Sequence, residues 1–286
     1  VDMSNIKTMV RGAYDIQKLR IQMGNRIVGN FKAKLGQEPS KPESDLEVEE
    51  TKVLKSLRDH YKKITDGVKT FPRQATFKGD EVISDFTELC LLAQYIDLES
   101  EETRHFSRLG SILRDYPIFT TFLDKVKGIG PAMAGVIVSE IDIRKAKYPS
   151  SLWAYAGLDV AQDGQGRSRK KEHLVERDYV NKNGETAKRV GITFNPFLKT
   201  KLTGVLASSF LRAGNERYAK LYNDYKHRLE SHEKHKDKTK GHRHNMAMRY
   251  MIKQFLVDLY REWRALEGLE VAPDYNEAKL GHKHAA

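Results

Sequence analysis

The sequence predicts a mostly α fold, a helical bundle followed by a helix-hairpin-helix domain that carries a small β-hairpin insertion. Apolar residues recur at helical spacing through most of the chain. A glycine-bracketed turn, Gly128-Ile129-Gly130-Pro131, interrupts that spacing near the middle, and Asn183-Gly184 separates two short extended runs.

The first helix is expected over residues 5–35, where Ile6, Met9, Val10, Ala13, Ile16, Leu19, Ile21, Met23, Ile27, Val28 and Phe31 form one stripe and Lys and Arg fill the other face. Residues 36–45, GQEPSKPESD, hold two prolines among polar residues and read as a mobile connection. A second helix is expected over 46–64. FPRQATFKG at 71–79 breaks the chain again, before a long helix from Asp80 towards Leu113. This first part, 1–113, reads as an antiparallel helical bundle or coiled scaffold, with a domain boundary near residue 114.

From Phe119 the pattern becomes helix, tight glycine turn, helix, with a further short helix over 152–156. Residues 160–196 are polar and contain the β-hairpin, its strands expected over 173–180 and 185–194, with Asn183-Gly184 supplying the positive φ values of a tight turn. Helices resume over 197–213, 216–235 and 245–266. In the last, Ile252, Phe255, Leu256, Leu259, Trp263 and Leu266 make a stripe that packs on the bundle, and Arg243, Arg249 and Lys253 are candidates to face nucleic acid. The helix-hairpin-helix domain is thus expected over 114–268, with a polar tail over 269–286 and no solenoid repeat.

Composition narrows the partners. The 286 residues are 39% apolar and 31% charged, enough for one large or two modest cores. A net charge of +11 and a pI near 9.4 favour polyanions, although a merely basic or ribosome-associated protein would share them. No apolar run reaches bilayer length and no secretory signal opens the chain, so a cytoplasmic protein without a membrane partner is expected. Val1 stands where Met is usual, which fits trimming, a start at Met3 or, the reading favoured, a GTG start codon rendered as valine. The single cysteine, Cys90, lies in the apolar run LCLLAQYI and is expected to be a buried core thiol, which excludes an internal disulfide and a thiolate metal cluster.

The segment Lys125 to Ile141 carries the strongest chemical signal. Leu123 and Val126 close a first helix, Gly128-Ile129-Gly130 turns the chain, and Pro131 takes a first helical position where a missing N–H costs nothing. Gly128 and Gly130 permit conformations and a close approach that a Cβ would obstruct. The N–H groups of Ile129, Gly130 and Ala132 would then face out at a helix N-terminus, ready for a phosphate oxygen, with Lys125 and Lys127 beside them. Ile129 would plug the hairpin, and Ala132, Met133, Val136 and Ile137 would pack its second helix. The alternative is an apolar helical hairpin without a ligand. A turn of this kind grips backbone and does not read bases.

KGIGPAMAGVIVSEI followed by LWAYAGLDV resembles the C-terminal domain of bacterial insertion-sequence transposases that join an RNase-H-like N-terminal domain to a serine-bearing, helix-hairpin-helix domain and are guided by a bridge RNA. The resemblance spans roughly residues 119–213 and takes in the acidic helix end at Glu140, the motif Tyr155-Ala156-Gly157-Leu158, and a helix over 195–213 rich in small residues. It implies DNA strand transfer within a prokaryotic mobile element, a homo-oligomer, a structured guide RNA as a further partner, and a divalent metal if the chain is catalytic. Two departures stand against it. Nothing in residues 1–113 alternates strands and helices as the acidic N-terminal domain does, and its helices look more like the coiled linker that follows that domain. Where the family has Ser-Gly, this chain has Asp163-Gly164.

Ser168, a few residues on in GRSRKK, is the candidate nucleophile if the loop is offset, because a field of arginines favours its alkoxide. The alternative is a serine that only hydrogen-bonds phosphate. Around it Arg167, Arg169, Lys170 and Lys171, with Arg177, Lys182, Lys188 and Arg189 on the hairpin, make the densest basic stretch, a candidate phosphate track or groove-binding ribbon, or else a solvated charge run. His232, His235, His242 and His244 have spacings a metal could use, but the lysines around them repel a cation, so an exposed basic turn is expected and no metal site is assigned. A non-catalytic DNA- or RNA-binding accessory or domesticated protein is the rival reading; a protein-binding bundle leaves the glycine turn unexplained.

Overall fold

The computed structural model describes residues 3–35, 48–68 and 70–273, so the connection at 36–45, Val1 and the end of the tail lie outside the described residues. The described chain is mostly helical, with one two-stranded antiparallel sheet. It forms two compact units, Thr8–Arg108 and Val1–Lys7 with Leu109–Ala286.

Three long helices supply the first unit: α1 (Met3–Lys34) from Thr8 on, α2 (Val48–Thr65), and α3 (Phe86–Leu113) as far as Arg108. Ile27 and Val28, Leu54 and Leu57, and Leu89, Leu92 and Tyr95 meet in one core with Ile83 from the loop before α3. Charges fasten the helices along its edge. Arg58 donates to the Tyr95 hydroxyl at 2.7 Å and to Glu99 at 2.5 Å, and Arg20 pairs with Glu102, which also accepts from Gln17 at 2.8 Å. Cys90 is half-buried and not a full core residue.

Helix α3 starts at Phe86, not at Asp80, because two local devices hold the intervening residues off helical geometry. Asp80 accepts from the N–H groups of Val82 and Ile83 at 2.8 and 2.6 Å and meets His60 at 2.7 Å. Asp85 then caps Thr87 at 2.6 Å while Glu88 reaches back to the Asp85 N–H, a capping box.

The second unit is organised on α11 (Lys240–Leu266), which packs on α9 (Glu216–Ser231), α8 (Ala207–Ala213), α6 (Pro149–Tyr155) and α4 (Pro117–Thr121). The stripe Ile252, Phe255, Leu256, Leu259 and Trp263 is buried as expected, but against these helices of its own unit, and Leu266 is exposed. Phe255 meets the rings of Phe210 and Tyr218 at 5.5 and 5.7 Å. Because Thr239 caps the His242 N–H, α11 begins at Lys240 and takes in His242 and His244. His232 caps the single turn α10 (Glu233–Lys236) and His244 meets the Tyr222 hydroxyl at 2.6 Å, so the expected exposed histidine turn is instead two helix ends.

Two helices need a further correction. The expected 197–213 helix is α7 (Pro196–Thr200), a π-helical stretch Lys201–Leu206 and α8 in continuous succession. The short helix expected over 152–156 starts earlier, at Pro149. Strands β1 (Val175–Val180) and β2 (Thr186–Gly191) are shorter than expected. Their turn is a wider loop in which Asn181 N–H donates to the Glu185 carbonyl, Gly184 N–H to that of Asn181, and Gly184 takes φ +83°. No described helix is long and apolar enough to cross a membrane.

Candidate nucleic-acid interface

Entry to the glycine turn is shorter than a full helix: α4, then the 3-10 turn Leu123–Lys125, then Gly128 to Gly130 and α5 (Pro131–Glu140). Gly128 sits at φ +102°, and a Cβ there would lie 3.1 Å from the Phe210 ring and 3.2 Å from the Ser209 carbonyl. Both demands exclude a side chain. Gly130 differs: its φ is −103° and nothing lies within 4 Å of the Cβ it lacks, so no intrachain neighbour requires a glycine there.

The turn is fastened from behind. Ser209 Oγ donates to the Gly128 carbonyl at 2.7 Å and Asn215 Nδ2 to the Lys127 carbonyl at 2.8 Å, while Asn215 also caps α9 through the Tyr218 N–H. Ile129 is buried as the expected plug, but its N–H donates to the Val126 carbonyl at 3.0 Å and is not free. Among the described residues no acceptor meets the N–H groups of Gly130 and Ala132, which lie at the N-terminus of α5. Lys125 and Lys127 are exposed beside them. The adjoining groove is not uniformly basic, since Glu216, Asp258 and Glu262 also line it.

The Tyr155-Ala156-Gly157-Leu158 motif ends α6. Gly157 takes φ +65° and packs so closely on Phe194 that a Cβ would lie 2.7 Å from the ring, and Leu158 N–H returns to the Trp153 carbonyl at 2.8 Å. Glu140 at the end of α5 is buried; Asn195 Nδ2 donates to it at 2.6 Å and Lys7 lies 3.4 Å away. These residues therefore anchor the loop that follows.

That loop doubles back through an isolated bridge between Val160 and Gly166, with Gly164 at φ +74°. Arg167 is not a free cation: Asp159 takes it in a bidentate pair, closest at 2.7 Å. Lys170 Nζ donates to Gln165 at 3.0 Å, and Arg169 and Lys171 are exposed. The fold brings three residues together that sequence reasoning had kept apart. Ser168 Oγ lies 2.9 Å from Nδ1 of the buried His173, whose Nε2 is 3.0 Å from Asp163. The tautomer follows from the partners. Ser168 N–H, which can only donate, also reaches Nδ1 at 2.9 Å, so that nitrogen holds a lone pair and the proton sits on Nε2, facing the carboxylate. The His173 contact, with the Gln165 N–H, holds the Asp163 carboxyl below its ordinary range. Nδ1 thus serves both the hydroxyl and the backbone of Ser168, so the arrangement braces the loop as well as aiming the serine.

On the hairpin, Arg177 and Arg189 are directly opposite one another. With Tyr179 they share one face, and β1 is exposed along its whole length. Lys188 projects from the other face, 3.2 Å from Glu176.

Sequence reasoning missed Lys199, whose local signal was weak: a lysine one turn into a helix capped by Asn195. Its Nζ donates to the Arg167 carbonyl at 2.6 Å and lies 4.5 Å from the Phe194 ring centroid. Arg249 and Lys253, whose direction the sequence left open, turn towards Gly157 and Trp153: Arg249 donates to the Gly157 carbonyl at 3.3 Å, and the Lys253 ammonium lies 5.1 Å from the Trp153 ring centroid. Burial and then Arg249 push the Lys199 ammonium down to about 8, with Asp159 opposing. Burial also lowers Arg249 and Lys253. Among the described residues no cluster of three or more His, Cys, Asp and Glu side chains is placed to hold a metal ion.

Residues 120–183 match the family described as Transposase IS116/IS110/IS902 family. This transposase-like region, under a quarter of the chain, holds the glycine turn, α5, α6, the Ser168 loop and β1. No curated protein and no solved structure gave a match.

Proposed function

We propose that the chain is a transposase-related protein of a prokaryotic mobile element that grips DNA backbone through the helix-hairpin-helix turn and acts in transposition or recombination. The observation that carries this reading is the asymmetry of the turn. Its Lys127 and Gly128 carbonyls are fastened to Asn215 and Ser209, while the Gly130 and Ala132 N–H groups at a helix N-terminus have no intrachain acceptor. Such N–H groups suit a phosphate oxygen. The unexplained glycine at position 130 fits the approach of something outside the chain. Lys125, Lys127, Arg169, Lys171, Arg177 and Arg189 extend the cationic track, and a structured RNA would meet the same donors. A homo-oligomer in the cytoplasm completes the reading.

Gly130→Val tests it. At φ −103° with open space around it the variant is expected to fold and melt as the parent does, yet to bind duplex DNA at least tenfold more weakly. Unchanged affinity would overturn the reading.

Ser168–His173–Asp163 favours a second reading, in which the protein also cuts and joins strands. Ser168 Oγ would attack phosphorus, its proton passing to His173 Nδ1. The P–O bond to one strand's sugar oxygen would break, and that oxygen would take the proton back from His173. A second strand's hydroxyl would reverse the steps and release the serine. Ser168→Ala is expected to abolish the covalent protein–DNA product on DNA carrying the element's ends and to leave salt-sensitive binding in place. Undiminished cleavage would remove Ser168 from the chemistry, and a parent that yields only a complex would leave the accessory, non-catalytic reading.

A further inference from the structure

Three cations of the second unit stand half-buried without a carboxylate of their own. Lys199, Arg249 and Lys253 have no acidic group in ion-pair reach among the described residues. Asp159, the one carboxylate whose charge all three feel, is already taken by Arg167, which donates to Oδ2 from two nitrogens and to Oδ1 at 3.3 Å. Burying unpaired charge is costly: burial lowers all three groups, and Arg249 adds like-charge repulsion at Lys199 and Lys253.

Their donors are also largely unspent. Lys199 gives one hydrogen bond, to the Arg167 carbonyl, and Arg249 one long bond to that of Gly157, from ammonium and guanidinium groups that offer three and five. The backbone is cut to make room: a Cβ at Gly166 would lie 2.8 Å from the Arg249 guanidinium. Aromatic rings of Phe194 and Trp153 take part of the charge of the two lysines, which holds both ammonium groups in place.

We propose that Lys199, Arg249 and Lys253 form a phosphate site, separate from the glycine turn, that seats one phosphodiester of a nucleic-acid strand against the loop bearing Ser168. A phosphate supplies the missing negative charge and a set of acceptors for the unspent donors. The tether through the Arg167 carbonyl sets the seat next to Ser168 in the chain. The site relies on the nucleic-acid reading for its partner's identity and not on the helix-hairpin-helix turn.

The Lys199 amine provides the readout. In protein carrying isotope-labelled lysine, its titration is followed by NMR alone, with inorganic phosphate, and with a short single-stranded oligonucleotide. The oligonucleotide is expected to raise the Lys199 pKa by about a unit, because a bound anion favours the ammonium. No movement overturns the proposal, and movement with inorganic phosphate alone replaces the strand with a free anion and overturns it as well. In parallel, Lys199→Gln and Lys253→Gln, checked for parental melting, are each expected to weaken oligonucleotide binding about tenfold and to reduce its salt slope by about one. Duplex binding weakened by Gly130→Val with oligonucleotide binding indifferent to both lysine variants would keep the turn and discard this site. The reverse pattern would keep the site and discard the turn.

Discussion

Between the elements of Thr8–Arg108, cations meet carboxylates: Arg20 meets Glu102 and Arg58 meets Glu99, while the His60 ring shares a hydrogen bond with Asp80. In Leu109–Ala286 some cations are paired too, Arg167 with Asp159 and Arg217 with Asp258, yet Lys199, Arg249 and Lys253 are half-buried and unpaired, and Arg177 faces Arg189 across a strand pair. The two units therefore use charge for different ends. In the first it orients helices. In the second a part of it is held at a cost to the fold, which is the pattern expected where an external anion completes the arrangement.

This contrast is open to direct attack. Leu92→Ala removes a fully buried side chain from the core of the first unit and is expected to cost about 2–5 kcal/mol of stability. Below the lowered melting temperature, DNA affinity is expected to change less than twofold. A tenfold loss would show that the first unit shares the binding and would break the contrast. Arg58→Ala is expected to cost only about 0.5–1 kcal/mol, because its pair with Glu99 is more than a third exposed, and to leave the salt slope of DNA binding unchanged. A reduced slope would place Arg58 among the binding cations.

The smallest effect on stability has the opposite sign. Replacing Arg177 and Arg189 together by glutamine relieves a like-charge pair and is expected to stabilise the hairpin by a few tenths of a kcal/mol, or to leave it unchanged. The same change is expected to lower the salt slope by about two. Loss of hairpin stability, read by amide exchange of β1 and β2, would mean that the pair is structural.

What the sequence made legible was local. Pro131 at a first helical position, Gly128 in a conformation closed to side chains, and much of the buried faces of α1 and α11 follow from dihedral limits and spacing within a few residues, although Leu19 of the first stripe and Leu266 of the last are exposed. Where local reading went astray, the signal was still in the chain: the Asp85 to Glu88 capping box and the Thr239 cap set helix starts that apolar periodicity alone misplaces. The hairpin's turn was legible in kind, from Asn183-Gly184, but not in length, which the bonds of Asn181 decide.

The candidate interface divides in the same way. The GIGP turn and its lysines could be named from residues adjacent in the chain. That Ile129 spends its N–H, that Ser209 and Asn215 hold the turn's carbonyls, and that Asp159 consumes Arg167 emerged only once the chain was folded. The closure that sets His173 between Ser168 and Asp163 belongs to the same class. The physical reason is range. Helix and turn preferences act over a few residues, but which charge meets which partner is decided by packing between segments far apart in sequence, as when Arg249 reaches the carbonyl of Gly157.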